Sequence, residues 1–239
     1  MKIEFYTNEV GAMNYPPIPA KKMIPEWYKE IPELVIDKKY ENDVKYQSQN
    51  GYTGTIYTIR GCMPVLDYLT SGYIIRAHTE TLFTPDISGD MKSFWARNAG
   101  KNSIAQHNHT QCPINIDGYK NIYLKYPNSW KIKTPPGYSC LFYQPAFFME
   151  KRYSLFPGIV DADEYHDDAV NFPGVIHTNE PFRINPGDPL MVVFPFKRET
   201  WESEVRLATE EENKKEGTKI QSYLFKGYMK LIHKKKSYK

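Results

Sequence analysis

Cysteine is scarce in this chain, net charge is small and no long apolar run occurs; each shortage removes a class of protein. The three cysteines, Cys62, Cys112 and Cys140, are scattered without a C-x-x-C pair, so neither a disulfide framework nor a thiolate zinc site is encoded. Free thiols in a reducing, cytoplasmic compartment are the expectation. Cys140 sits in an apolar run and no histidine adjoins a cysteine, so a catalytic thiol is not expected. No apolar stretch approaches the ~20 residues that span a bilayer. The opening M-K-I-E-F-Y-T-N-E-V lacks the apolar core of a signal peptide, so a soluble chain with no membrane partner is expected. A net charge of +3 is too small to signal a nucleic-acid partner. The phosphate loop G-x-x-x-x-G-K-S/T, the dinucleotide fingerprint G-x-G-x-x-G and the nucleophile elbow G-x-S-x-G are all missing.

What the chain does have is aromatic residues and proline. With 19 Tyr and 18 Pro, the composition favours strands and turns over long helices. The 239 residues show no low-complexity linker, which suggests one globular unit with extensions. An N-terminal strand and Pro-rich arm would take 1–50, a β-domain 51–200 and a helical extension 201–239. Ile3 and Phe5 alternate with polar neighbours as a first strand does. Prolines 16, 17, 19, 25 and 32 forbid a long helix, and Pro25 can open a short one carrying Trp27 and Tyr28. Such an arm either reaches a neighbouring subunit or partner, or packs on its own domain with Trp27 as anchor. Thr53–Arg60, Tyr73–His78, 121–126 and 130–133 read as strands, and Val65–Leu69 as one helical turn. Residues 84–103, polar and Gly-containing around Phe94-Trp95, read as a loop. From Trp201 to Ile232 the Glu/Lys/Leu pattern suggests two helices divided at Gly217, with Glu210, Glu211 and Glu212 preceding Lys214 and Lys215.

The densest turn chemistry lies between Pro135 and Phe196. Short β-prone runs alternate there with P-P-G-Y, an acidic cluster and N-P-G-D, the mark of compact β-structure. Asp161, Asp163 and Tyr165 fall within five positions, directly after Ile159-Val160. They can bind a ligand hydroxyl, activate water or hold a divalent ion; equally, they can cap a tight turn between strands. Asn185-Pro186-Gly187-Asp188 reads as a β-turn feeding Pro189–Phe196 into the core. A second candidate is His107-Asn108-His109. Histidines at i and i+2 on a strand share a face and can share a divalent metal ion, if a third ligand such as His177 joins them. That spacing resembles the His-x-His of cupin-type barrels, without their following Glu or Gly-rich lead-in. Polar loop histidines are the plain alternative.

Two resemblances follow from these residues. Ser71-Gly72-Tyr73-Ile74-Ile75, then Pro136-Gly137-Tyr138, then Gly158-Ile159-Val160-Asp161-Ala162-Asp163-Glu164-Tyr165, then Phe182-Arg183-Ile184-Asn185-Pro186-Gly187-Asp188-Pro189-Leu190 resemble, in order, the phrases of the dUTPase and dCTP-deaminase group. The resemblance implies a mainly β fold, a dUTPase-like β-clip or related barrel or jelly roll, in a homotrimer that binds a nucleotide. It aligns Asp161 with the group's hairpin Asp, which faces the deoxyribose and activates water. The group's early Asp is here Ile74, its Arg-Ser-Gly phosphate turn is Tyr143-Gln144-Pro145, and Glu164 intervenes before the Tyr. Hydrolysis of a triphosphate by the group's route is therefore not expected. The phrases R-G-C-M-P-V-L-D-Y-L-T-S-G-Y, K-T-P-P-G-Y-S-C-L-F and P-F-K-R-E-T-W resemble, over nearly the full length, a family of tailed-phage proteins of the marine cyanophage type. That likeness implies a place in the host-cell cytoplasm and brings no activity with it.

Three functions remain open at this point. One is a phage accessory protein binding a nucleotide-like molecule at Asp161, Asp163 and Tyr165. Another is a cupin-like metal enzyme using His107 and His109. A third is an interaction protein with no small-molecule site.

Overall fold

A computed structural model describes residues 1–36, 55–86, 93–98, 104–107, 111, 122–215 and 233–239. The chain divides into two compact units: Met1–Met23 with Gly72–Arg198, and Ile24–Ser71 with Glu199–Lys239. The first unit is antiparallel β throughout, so the mainly β expectation holds.

Strands β1 (Glu4–Tyr6) and β10 (Lys131–Lys133) pair as a small ribbon. A five-stranded sheet joins β2 (Ile18–Pro19), β5 (Tyr73–Arg76), β11 (Tyr138–Tyr143), β13 (Gly158–Val160) and β16 (Pro189–Lys197) in the order β13-β11-β16-β5-β2. A four-stranded sheet runs β12-β14-β9-β8, built from β8 (Ala105–Gln106), β9 (Ile122–Tyr126), β12 (Tyr153–Leu155) and β14 (Phe172–Ile176). A three-stranded sheet, β15-β6-β7, comprises β6 (Thr81–Asp86), β7 (Ser93–Asn98) and β15 (Phe182–Ile184).

β16 shows why the apolar run Leu190–Val193 is continuous rather than alternating. Met191 and Val193 enter the main core with Ile75, Cys140 and Phe142, while Val192 packs with Ile74 and Ala20 in a second cluster. Both faces of the strand are covered, so neither set of alternate positions can be polar. The Pro-rich arm supplies part of that cover: Ile18 and Pro19 pair with Ile74 and Tyr73 at the sheet edge. An edge is where a strand tolerates proline, which has no N–H to donate to a ladder.

Within 84–103, the described residues 84–86 and 93–98 correct the loop expectation. Thr81–Asp86 and Ser93–Asn98 form a hairpin in unbroken register, from Thr81↔Asn98 to Asp86↔Ser93. It forms because Phe83 and Phe94 reach the core, where Phe83 stacks on Phe182 at 4.7 Å. Tertiary packing here overrides the polar local composition.

In the second unit, β3 (Leu34–Ile36) pairs with β4 (Thr55–Tyr57). The short helix Glu26–Glu30 begins after Pro25, as expected, but Tyr28 is the buried anchor and Trp27 is only half-buried. The helical turn expected at Val65–Leu69 extends to Met63–Thr70, with Pro64 in the first turn, where a missing N–H costs nothing. Residues 201–209, expected to be helical, form no helix. The described helix, Glu210–Lys215, starts where Thr209 caps it: the Glu212 N–H donates to Thr209 Oγ1 at 3.3 Å and the Thr209 N–H donates to Glu212 Oε2 at 2.8 Å. This reciprocal pair is a capping box, and it fixes where the helix starts. The second expected helix lies outside the described residues. No described helix is long and apolar enough to cross a membrane.

Candidate functional site

The acidic cluster follows β13, an edge strand held in register on β11 by Cys140↔Val160 and Phe142↔Gly158. At the end of β13 the chain makes a single helical turn: the Asp161 carbonyl accepts from both Glu164 N (3.0 Å) and Tyr165 N (2.8 Å). That turn sorts the cluster. Positions i and i+4 of a helical turn lie on one side and i+2 on the other. Asp161 and Tyr165 accordingly share the solvent side, with the Asp161 side chain 59% exposed and Tyr165 53% exposed. Asp163 points inward and its side chain is 4% exposed.

Inward, Asp163 meets the other half of the structure that holds it. Arg198, one residue past the end of β16, donates Nη1 to Asp163 Oδ1 at 2.7 Å and Nη2 to Oδ2 at 2.5 Å. The Gly137 N–H donates to the same Oδ2 at 2.7 Å. Bidentate Arg–carboxylate geometry of this kind is among the strongest charge-assisted contacts. The Arg198 guanidinium and the Gly137 amide hold the Asp163 carboxyl well below the usual carboxylate range, and Asp163 in turn raises Arg198. Gly137 is itself required: its φ of +83° belongs to the Pro135–Tyr138 turn, closed by Tyr138 N to Pro135 O at 3.2 Å. The Gly137 carbonyl accepts from Arg198 N at 2.9 Å, so backbone and side chain of Arg198 both lock onto this turn.

Asp161 is oriented rather than buried. Ser139 Oγ donates to Asp161 Oδ1 at 2.6 Å, and Arg198 Nη1 lies 3.2 Å from the same oxygen. Oδ2 has no partner among the described residues. The result is one carboxylate oxygen pinned to the protein and one presented outward beside a half-exposed phenol. Such a pair can accept a hydrogen bond from a ligand hydroxyl and stack against a ring. The neighbouring Asp167 has a side chain 98% exposed, so solvent screens its charge from Asp161.

The structure thus brings Asp161, Asp163 and Tyr165 together and gives them different tasks. Sequence reasoning missed Arg198 and Ser139. Nothing local marks them; only the pairing of Tyr138 with Lys197 puts Arg198 opposite Gly137. For the second candidate, His107 Nδ1 lies 3.1 Å from Gln111 Oε1, and His109 lies outside the described residues. His177 is engaged elsewhere, its Nε2 2.7 Å from Ser154 Oγ, with burial lowering its pKa. Among the described residues no three His, Cys, Asp or Glu side chains are grouped to hold a metal. Cys140 is fully buried and burial pushes its thiol up to about 12, which leaves it unreactive at neutral pH. Asn185–Asp188 is the expected turn, with Gly187 at φ +95° and Asp188 N donating to Asn185 O at 3.0 Å.

No protein-family profile matches the chain, and no curated protein matches it. Among solved structures it is similar to a dUTPase from phage phi11 of S. aureus, with 14% identity, a TM-score of 0.33, and 59% of this chain and 84% of that chain covered. It is similar also to a Staphylococcus bacteriophage 80alpha dUTPase with dUpNHpp, at 14% identity and a TM-score of 0.32, covering 59% and 78%. Another variant of the 80alpha enzyme gives 12% identity and 0.31, covering 58% and 86%. Identities and scores this low carry over no residue's role, and the geometry of this chain stands by itself.

Proposed function

We propose that the turn after β13 binds a nucleotide-like small molecule, with Asp161 accepting from a sugar hydroxyl and Tyr165 stacking on a ring, in a protein of β-clip type that serves a phage as an accessory. The observation that carries this reading is the outward Asp161 Oδ2 beside Tyr165, on a turn whose third residue, Asp163, is locked inward. A site built on a clamped turn is pre-organised, so little ordering cost falls on binding. The order of the family-like phrases supports the β-clip: they occupy β5, β11, β13, β15 and the start of β16 within one unit. Triphosphate hydrolysis is not part of the reading, because Tyr143-Gln144-Pro145 offers no cation where the dUTPase group has its phosphate turn.

A thermal-shift series with nucleoside mono-, di- and triphosphates at millimolar concentration tests this. A ligand at 100 times its Kd stabilises by about 2.7 kcal/mol, a rise in Tm that is readily seen. Asp161→Ala is expected to abolish the rise while leaving the ligand-free Tm within about 2 °C of wild type, as for most exposed positions. Absence of any shift in the wild-type protein would favour an interaction protein with no small-molecule site. An unfolded Asp161→Ala would assign Asp161 to the turn alone.

A further inference from the structure

At the opposite end of β11 the first unit contains a cavity of about 140 Å³, between the loop that follows Tyr143 and the turn that precedes β16. Ser139, which orients Asp161, and Tyr143 are four residues apart along the strand, about 13 Å. The cavity is therefore separate from the proposed site on the turn after β13. Its apolar walls are Pro145, Phe148 and Pro189, and its polar walls are Gln144, Glu150, Arg152, Tyr153 and Asp188.

Tyr153 is the side chain that needs explaining. The residue is 2% exposed and its ring stacks on Phe182 at 5.9 Å, yet its hydroxyl has no hydrogen-bond partner among the described residues. Burial and the charge of Glu150 push its pKa up, so the phenol stays protonated and remains a donor. The hydroxyl is not one of the fully enclosed polar atoms that lack a partner, so it opens into the cavity as a donor for a ligand.

The charges around the cavity decide what it admits. Arg152 forms a fork with Glu150, Nε to Oε1 at 2.8 Å and Nη2 to Oε2 at 2.6 Å, and its Nη1 donates to the Arg183 carbonyl at 2.8 Å. Its cation is neutralised and its donors are held. Asp188 accepts from Asn185 N through Oδ2 at 2.8 Å, which leaves the other oxygen and a negative charge at the wall. Gln144 accepts from Leu155 N through Oε1 at 3.0 Å, which leaves its NH₂ to donate. The sum is one excess negative charge, with donors from Tyr153 and Gln144 and an acceptor from Asp188. An anion, phosphate included, is disfavoured there.

We infer that this cavity is a binding site for an uncharged or cationic single-ring molecule that carries both an N–H donor and an acceptor, a cyclic amide or aminated ring. The volume agrees, being close to the ~150 Å³ that accommodates one benzene ring. Phe148 and the two prolines supply the apolar contact, and the polar wall reads the ring's edge.

Three probes of equal size and different charge test the site on the full chain by NMR titration: benzamide, benzamidine and benzoate. Benzamide and benzamidine are expected to shift the Gln144 and Leu155 amide signals with millimolar affinity, and benzoate to bind at least 10-fold more weakly. Tyr153→Phe should weaken both binders at least 5-fold while leaving the ligand-free Tm within about 2 °C, since the hydroxyl it removes opens into the cavity. A merely structural tyrosine would bind like wild type and melt lower. Asp188→Asn, which keeps an oxygen for Asn185 N, should erase any preference for benzamidine over benzamide. Asp161→Ala should leave all three titrations unchanged, so this site and the site proposed at the turn after β13 can fail independently. The assignment is overturned if none of the probes binds at 10 mM, if benzoate binds as well as the others, or if Tyr153→Phe binds like wild type or melts lower.

Discussion

Phe83→Ala is expected to lower Tm by roughly 6–20 °C, corresponding to about 3–5 kcal/mol for truncating a fully buried phenylalanine. Phe83 has no exposed surface. Its ring lies 4.7 Å from that of Phe182 with an interplanar angle of 8°, and 5.5 Å from that of Phe94 at 45°. Register explains the crowding: Phe83 is paired with Phe182 on one side and with Ala96 on the other, at the centre of the three-stranded sheet. Alanine would leave a void that neither neighbour can fill, because each is fixed by its own strand. Phe83→Leu keeps most of the volume and should lose markedly less. Chemical denaturation of the three proteins checks this: the alanine variant's midpoint should fall furthest with its m-value unchanged. An alanine variant as stable as wild type would show that β6 and β7 do not seat on the core.

That hairpin also shows where the sequence stops being informative. Regions whose two faces are both buried, such as Leu190–Val193, or whose turns carry Pro-Gly, such as Pro135–Tyr138, declare themselves locally. Thr81–Asn98 does not, because its apolar residues are few and its stability comes from aromatic contacts across three strands. The C-terminal region fails differently. Trp201–Leu207 has the composition of a helix, but the capping box at Thr209 and Glu212 starts the helix later. A three-residue capping signal outweighs an average over ten residues.

The candidate site was legible to the same extent. Asp161, Asp163 and Tyr165 stood out as a cluster, and the sequence held open whether they were a site or a capped turn. In the structure Asp163 faces inward and does the capping, while Asp161 and Tyr165 face outward, where binding is proposed. Spacing alone contains this division once the turn is known to be helical, and the inserted Glu164 is what carries Tyr165 to i+4. The partners that hold the turn, Gly137, Ser139 and Arg198, come from two other strands and from no local pattern. Long-range strand pairing is the information that one sequence does not display.

Asp163→Ala is expected to cost more stability than Asp161→Ala and less than Phe83→Ala, and to remove the proposed nucleotide binding together with the order of the turn after β13. The substitution leaves the Gly137 amide and the Arg198 guanidinium without the acceptor that both use. Removing the carboxylate leaves the part-buried Gly137 N–H without its acceptor, while Arg198, with a side chain 37% exposed, can turn to water. Asp163→Asn keeps one acceptor and should fall between alanine and wild type. The pH dependence gives an independent check. The native carboxyl is depressed below its unfolded value of ~3.9, so between the two values the unfolded chain binds more protons. The contribution of Asp163 is therefore fully present above about pH 4 and is lost as pH falls toward the native value. Wild type should lose Tm steeply in that acid range, while Asp163→Asn, having no proton to bind there, should show a flatter profile. Hydrogen exchange at Gly137 N and across Gly158–Tyr165 should quicken in the alanine variant well before global unfolding. Parallel Tm–pH curves for wild type and Asp163→Asn would show that the Arg198 clamp does not hold the turn after β13, and with it would go the pre-organisation that the proposed binding at Asp161 requires.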